Sequence, residues 1–187
     1  MRKIKNQIIA NLFGAVILVA SAYLTFIIAF WLRPARDFEI FGTTSLVIQL
    51  VILIVATVLM LIVHEGFHGI CFWMFTGSRP KFAIKPFYAY AAAPDWYLPK
   101  WQYFLTALAP FLAIPLLSFL GIAIGPRWSL IPLMAVIIFN AAGAVGDLWV
   151  AGALLLRDPK VLSNDNGDVV SFYEPVPEAE LDGGGQS

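Results

Sequence analysis

The sequence predicts an all-α membrane protein: a four-span transmembrane helix bundle with a short interfacial β-hairpin-like loop between spans two and three. Composition is the first reason, because 60% of the 187 residues are apolar and only 13% are charged, whereas soluble domains carry about 25% charged residues. A soluble chain of this length has no interior large enough to bury that much apolar surface, so membrane lipid is expected to cover it. Four long apolar stretches and one loop of alternating polarity are the other two reasons.

Each apolar stretch is long enough to cross the bilayer. The predicted spans are residues 8–32, 46–75, 103–124 and 128–156, and roughly 20 apolar residues suffice to cross a hydrocarbon core. Because lipid offers no hydrogen-bond partner to a free backbone amide, each span should be helical. Pro110 and Pro115 are expected to kink the third helix, with neighbouring helices satisfying the freed carbonyls.

The basic residues predict a multi-pass protein of the cell membrane with both termini in the cytoplasm. This orientation puts nine basic residues inside and three outside, as the positive-inside rule favours. The inside set is Arg2, Lys3, Lys5, Arg79, Lys81, Lys85, Lys100, Arg157 and Lys160, and the outside set is Arg33, Arg36 and Arg127. The first apolar run continues unbroken to Leu32, so we expect an uncleaved span and not a signal peptide. The net charge of zero argues against a nucleic-acid partner.

Two segments outside the spans have distinct patterns. Residues 79–100 form the long loop, in which Lys81 to Ala91 alternates polar and apolar residues and is rich in aromatics. This pattern predicts short strands at the cytoplasmic interface, and an aromatic anchoring belt is the alternative. Residues 157–187 hold seven acidic and two basic residues, and are predicted to form a disordered acidic cytoplasmic tail.

The second predicted span contains the segment His64-Glu65-Gly66-Phe67-His68, and the chain has no other histidines. Ionisable groups inside a membrane cost about 2.5–3.5 kcal/mol each by insertion scales, so they call for a functional explanation. On a helix, side chains four residues apart share one face, which lets two imidazoles bind one metal ion. Glu65 can then reach a water molecule at the metal without binding the metal itself, as in zincins.

Asp147 is the expected third metal ligand. His64 lies twenty residues beyond Thr44, where the second span begins to descend, and Asp147 lies twenty residues beyond Arg127 in the fourth span. At 1.5 Å per residue both reach a depth of roughly 30 Å, and a catalytic zinc needs three protein ligands and one open position.

Two further polar residues near the expected metal have more than one interpretation. Asn140, two turns before Asp147, is expected either to stabilise a substrate oxyanion or to form an interhelical hydrogen bond. Cys71 shares a face with His64. It could approach the metal, although a small buried residue is the more ordinary role for a free cysteine.

These residues resemble the motifs of the Putative zincin peptidase family of multi-pass membrane proteins, which is distantly similar to site-2 intramembrane metalloproteases. The resemblance covers about Leu50 to Leu156 and includes His64 to His68, Leu108-Ala109-Pro110, and Asn140 through Asp147. It implies that His64, His68 and Asp147 bind zinc, that Glu65 is the catalytic acid/base and that Asn140 positions the substrate. The chain departs from the site-2 pattern because Gly143 stands in place of a proline and Leu148 follows Asp147.

The expected function is therefore zinc-dependent hydrolysis of a peptide bond, in a peptide or membrane-protein substrate, near the cytoplasmic side of the bilayer. Glu65 and Asn140 are the expected catalytic residues, and one zinc ion per chain is the expected cofactor. Two alternatives use the same cluster. It could serve as the relay of a proton- or ion-coupled transporter or channel, or it could hold a metal that stabilises a non-catalytic scaffold.

Overall fold

Three helices are long and apolar enough to cross a membrane. In the computed structural model, which describes residues 2–39, 45–85 and 88–175, these are α1 (Arg2–Leu32), α2 (Leu46–Thr76) and α3 (Lys100–Ile124). Ser45 caps the start of α2 by accepting a hydrogen bond from the amide of Ile48, and Gly77 ends it with a φ of 68°, a conformation that glycine adopts without steric cost. The prediction of long apolar helices is confirmed for these three spans.

The fourth predicted span, residues 128–156, is two helices. A 3₁₀ turn (Arg127–Ser129) leads into α4 (Leu130–Gly143), and α5 (Val145–Leu155) follows at an angle of 47°. Ala144 breaks the helix with φ −74° and ψ 8°. If the bent pair counts as one span, the described residues hold four candidate spans. The break matters for the site because it places Asp147 in the first turn of α5.

The predicted strands in the long loop are present as a hairpin. Strand β1 (Lys81–Lys85) pairs antiparallel with β2 (Tyr88–Ala92). Strand β2 packs against α2, so the hairpin lies beside the helix that carries both histidines.

The predicted disorder of residues 157–187 is wrong for the part of this segment that the structure describes. Strands β4 (Leu162–Asp165) and β5 (Val170–Tyr173) form a second antiparallel hairpin, and β4 also pairs with the two-residue strand β3 (Leu98–Pro99). Val161 and Ser163 are fully buried. Burial of these side chains against the helix ends offsets the entropy of ordering the segment. Residues 176–187 lie outside the described residues.

Helices and hairpins share an apolar cluster at one end of the bundle. Buried side chains from both sheets and from α2, α3 and α5 meet there, namely Phe72, Ala91, Ala93, Leu98, Tyr103, Leu154 and Val161. At the other end, the Arg33 guanidinium donates to the carbonyls of Ile122 and Gly125 at the end of α3. Arg127 pairs with Asp37 at 2.9 Å. Between these ends most large α2 side chains are exposed, as expected for a lipid-facing helix.

Candidate metal centre

His64, His68 and Asp147 come together in the bundle. His64 and His68 are one turn apart on α2, and their ring centroids are 5.0 Å apart. His64 Nε2 lies 3.2 Å from Asp147 Oδ2, and His68 Nε2 lies 3.4 Å from Asp147 Oδ1. One ligand atom from each of the three residues lies within 4.8 Å of the other two. The structure thus brings the three predicted ligands to one place, although they come from two separate helices.

The other ring nitrogen of His68 fixes which nitrogen carries the proton. His68 Nδ1 lies 2.9 Å from the backbone oxygen of Thr106, and because a carbonyl oxygen only accepts hydrogen bonds, Nδ1 must donate. Residue 110 is proline and has no amide hydrogen. The Thr106 carbonyl consequently lacks its ordinary helical partner four residues on and is free to hold the imidazole.

Asn140 holds His64 in the same way. Its Nδ2 donates to the Pro110 carbonyl at 3.1 Å, which leaves Oδ1 to accept from His64 Nδ1 at 2.9 Å. The Asn140 side chain is fully buried, and both of its polar atoms are engaged with the protein. Both hydrogen bonds place Asn140 against His64 and α3, and its predicted role in positioning a substrate stays a prediction. This geometry matches the interhelical hydrogen bond that the sequence left open.

This arrangement of donors fits a zinc ion. In their neutral form, imidazoles that carry the proton on Nδ1 present two Nε2 lone pairs to the two oxygens of Asp147, and lone pairs facing each other repel. A cation between them removes that repulsion. Ligand atoms about 2.0–2.1 Å from a tetrahedral zinc lie about 3.3–3.4 Å from one another, close to the observed 3.2 and 3.4 Å. A histidine that binds zinc usually donates its other ring N–H to an oxygen acceptor. Both histidines do so here, His64 to Asn140 and His68 to Thr106.

Glu65 lies beside this group and is held by the first hairpin. Its Oε2 accepts a hydrogen bond of 2.8 Å from the backbone amide of Ala91 in β2. Glu65 lines a cavity of about 570 Å³ together with His68 and Asp147. It also lines a second cavity of about 900 Å³. A carboxylate in this position can exchange a proton with a molecule bound in either cavity.

The sequence left the role of Cys71 open and did not predict several other residues of the site. The metal-capable group found among the described residues contains His64, His68 and Asp147 and does not include Cys71, which is half-buried. The Thr106 carbonyl is a backbone atom, so the one sequence signal for it is Pro110. Tyr103 and Asp165 line the smaller cavity, where the phenol hydroxyl donates to Asp165 Oδ2 at 2.5 Å. Nothing local in the sequence indicated that pair.

Two buried histidines and a partly buried carboxylate beside a glutamate are the residues of a zincin-type site, and here they are carried on apolar helices of the kind found in membrane proteins. The chain belongs to the Putative zincin peptidase family, which matches residues 57–162 and thus more than half of the chain. The matched region contains all three metal-capable residues and Glu65. No curated protein and no solved structure matches the chain.

Proposed function

We propose that this protein is a zinc-dependent membrane peptidase that hydrolyses a peptide bond at the cytoplasmic side of the cell membrane. The observation that carries the proposal is the pair of Nδ1-protonated histidines whose Nε2 atoms face Asp147 at 3.2 and 3.4 Å. Family membership supports peptidase activity, and the apolar helices support a membrane location. His64, His68 and Asp147 would hold one zinc ion, with Asn140 and the Thr106 carbonyl as positioning groups.

Glu65 would act as the catalytic acid/base. When bound, zinc supplies Lewis-acid polarisation of the scissile carbonyl and lowers the pKa of water toward about 7. The Glu65 carboxylate accepts the proton of the attacking water and delivers it to the nitrogen of the leaving amine. The Ala91 amide, which donates to Glu65 at 2.8 Å, keeps the carboxylate oriented. Asn140 acts on His64 and contributes to the reaction only through the position of that imidazole.

The free edge of β2 would bind the substrate in an extended conformation. Every residue of β2 lies opposite a residue of β1, but the Ala91 amide donates to Glu65 and so points away from β1. Because backbone groups alternate sides along a strand, Ala89 offers its amide and carbonyl to the same edge. Both cavities include Ala89 and Tyr90. A peptide added to this edge would pass Glu65 with its backbone unfolded, as cleavage requires.

Substitutions at the site separate metal binding from catalysis. We expect Glu65→Gln in the purified protein to retain zinc and to cleave internally quenched peptides about 10²- to 10⁴-fold more slowly than the original chain. His64→Ala, His68→Ala and Asp147→Ala should each lose zinc and activity. Asp95→Asn is the matched control, because Asp95 is an exposed carboxylate paired with Lys81. Zinc is measured by elemental analysis and cleavage by fluorescence.

The two alternative functions predict different results. A transporter or channel that uses the cluster as a relay would move protons or ions across vesicles, and chelation of zinc would leave that flux unchanged. A metal-stabilised scaffold would lose thermal stability in His64→Ala yet show no peptide cleavage in the original chain. Peptide cleavage at full rate in Glu65→Gln would overturn the proposed mechanism.

A further inference from the structure

The second hairpin, formed by β4 and β5, is one wall of the smaller cavity. Its residues Asp165, Gly167, Asp168, Val169, Val170 and Phe172 line the 570 Å³ space that also contains Glu65, His68 and Asp147. The family match ends at residue 162, where β4 begins. This wall therefore lies outside the matched region and shares a cavity with residues of the candidate metal centre.

Specific contacts fix the hairpin in this position. Asp168 at the turn pairs with Lys85 and accepts a hydrogen bond from Tyr88, both near the turn of the first hairpin. Asn164 donates to the carbonyls of Pro94 at 2.8 Å and Trp96 at 2.9 Å. The wall is thus tied to the first hairpin and to the loop before α3, so Asp165 has a defined place in the cavity.

Asp165 lines this cavity on the second hairpin and has no lysine or arginine partner among the described side chains. Its Oδ2 accepts from the Tyr103 hydroxyl and its Oδ1 from the amide of Gly167, both neutral donors. Two other charged groups that line this cavity have ion-pair partners, because Asp168 pairs with Lys85 and Arg157 pairs with Glu174 at 2.7 Å. Among residues 11–38, 45–85 and 88–175, no lysine or arginine forms an ion pair with Asp165. Burial raises the pKa of the Asp165 carboxyl, as expected for a carboxylate short of compensating charge.

The two cavities on either side of Glu65 differ in chemistry. The larger one is lined by apolar side chains, among them Leu61, Ile62, Phe82 and Ile84. The smaller one contains Asp165. A peptide along the β2 edge would therefore place apolar side chains in one cavity and a polar side chain in the other. In membrane proteins, the residues that follow an apolar segment on its cytoplasmic side are enriched in lysine and arginine.

We propose that Asp165 is a specificity-determining residue that binds the side chain of a lysine or arginine flanking an apolar segment of the substrate. This inference rests on the proposed peptidase function and names its substrate class. The substrate cation would supply the positive partner that Asp165 lacks. Tyr103 acts as a positioning residue, because its hydroxyl orients the carboxylate.

Matched peptides test this proposal. Three internally quenched peptides share one apolar segment and differ at the flanking residue, which is lysine, glutamine or glutamate. The original chain should cleave the lysine peptide with a kcat/KM about tenfold above that of the glutamine peptide, as expected for a hydrogen bond between charged groups. Asp165→Asn should abolish this ratio, whereas Asp95→Asn, which removes an exposed carboxylate, should keep it. In the Glu65→Gln background, fluorescence anisotropy should show the same order of peptide affinities.

A charge-reversal variant distinguishes a change of substrate preference from a loss of activity caused by poor folding. Asp165→Lys should prefer the glutamate peptide over the lysine peptide, a gain that damaged protein cannot produce. Equal cleavage of all three peptides by the original chain, or an unchanged lysine preference in Asp165→Asn, overturns the assignment of Asp165 while leaving the peptidase intact. Failure of the proposed function has a different signature, since no peptide would then be cleaved in a Glu65-dependent manner.

Discussion

At the residue scale, the site depends on one missing amide hydrogen. Pro110 is fully buried in α3 and donates no hydrogen bond, so the Thr106 carbonyl is available to His68 Nδ1 at 2.9 Å. The carbonyl of Pro110 itself accepts from Asn140, which holds His64. A single proline therefore supports the orientation of both histidines. It orients His68 because it has no amide hydrogen to occupy the Thr106 carbonyl, and it orients His64 through its own carbonyl, which binds Asn140.

Replacing Pro110 by alanine should weaken zinc binding. The new amide at residue 110 would compete for the Thr106 carbonyl, and His68 would lose the partner that fixes its protonated nitrogen. Loss of such an outer partner costs about 10- to 100-fold in metal affinity. The affinity is measured by competition with a zinc-sensitive fluorescent chelator.

Pro115→Ala on the same helix is the matched control for Pro110→Ala. It also restores an amide hydrogen four residues after a carbonyl, that of Phe111. The ring nitrogens of both histidines contact Asn140, Asp147 and the Thr106 carbonyl, and not the Phe111 carbonyl. Zinc affinity should therefore change little in Pro115→Ala. An equal loss in both variants would show that the shape of α3, and not the Thr106 carbonyl, controls the site.

The sequence predicted the residues of the metal group because their chemistry and spacing are local. The two histidines lie one helical turn apart, and Asp147 is the one acidic residue of the fourth predicted span. The direction in which Asn140 points could not be predicted, because it depends on a carbonyl 30 residues away. The metal itself stays a prediction that rests on the fit of the donors.

At the element scale, hydropathy predicted the helices well and the C-terminal segment poorly. Long apolar runs have few alternatives in lipid, so α1, α2 and α3 follow from composition. Residues 157–175 were assigned to a disordered tail because acidic residues dominate them. In the structure these acids make specific contacts, Asp165 with Tyr103 and Asp168 with Lys85. The partners lie more than 60 residues away, so no local pattern could reveal them.

The turn of the second hairpin should be sensitive to a single methyl group. Gly167 has a φ of 90°, and a Cβ at this position would lie 2.2 Å from the Tyr90 ring. Gly167→Ala should therefore cost about 1–2 kcal/mol in left-handed backbone strain, in addition to the displacement of the ring. We expect faster hydrogen exchange in residues 162–173 and a lower thermal midpoint in detergent.

Gly152→Ala provides the comparison for Gly167→Ala. Gly152 lies within α5, and a Cβ there meets nothing within 4 Å. Alanine in a helix interior is favoured over glycine by about 0.5–1 kcal/mol, so this variant should be as stable as the original chain or slightly more so. Unchanged exchange of residues 162–173 in Gly167→Ala would mean that the turn does not hold the hairpin in place.

At the scale of the whole molecule, the two ends of the bundle have different chemistry. Both hairpins lie where α2 ends, α3 begins and α5 ends, and the smaller cavity joins the second hairpin to His68 and Asp147. The opposite end carries Arg33, Asp37 and Arg127 and joins the end of α3 to the end of α1. We propose that the end with the hairpins faces the cytoplasm, because most of the basic residues belong to it.

This orientation predicts which positions an impermeant reagent reaches in intact cells. In a Cys71→Ser background, a membrane-impermeant maleimide should label Arg36→Cys in intact cells and Lys160→Cys only after permeabilisation. Both side chains are exposed, so both variants should react equally once they are solubilised, and the Cys71→Ser parent should not react. The reverse pattern would place the candidate metal centre on the outer side. The argument that substrates present a basic residue to Asp165 would then lose its basis, because the cytoplasmic excess of lysine and arginine would lie across the membrane from that carboxylate.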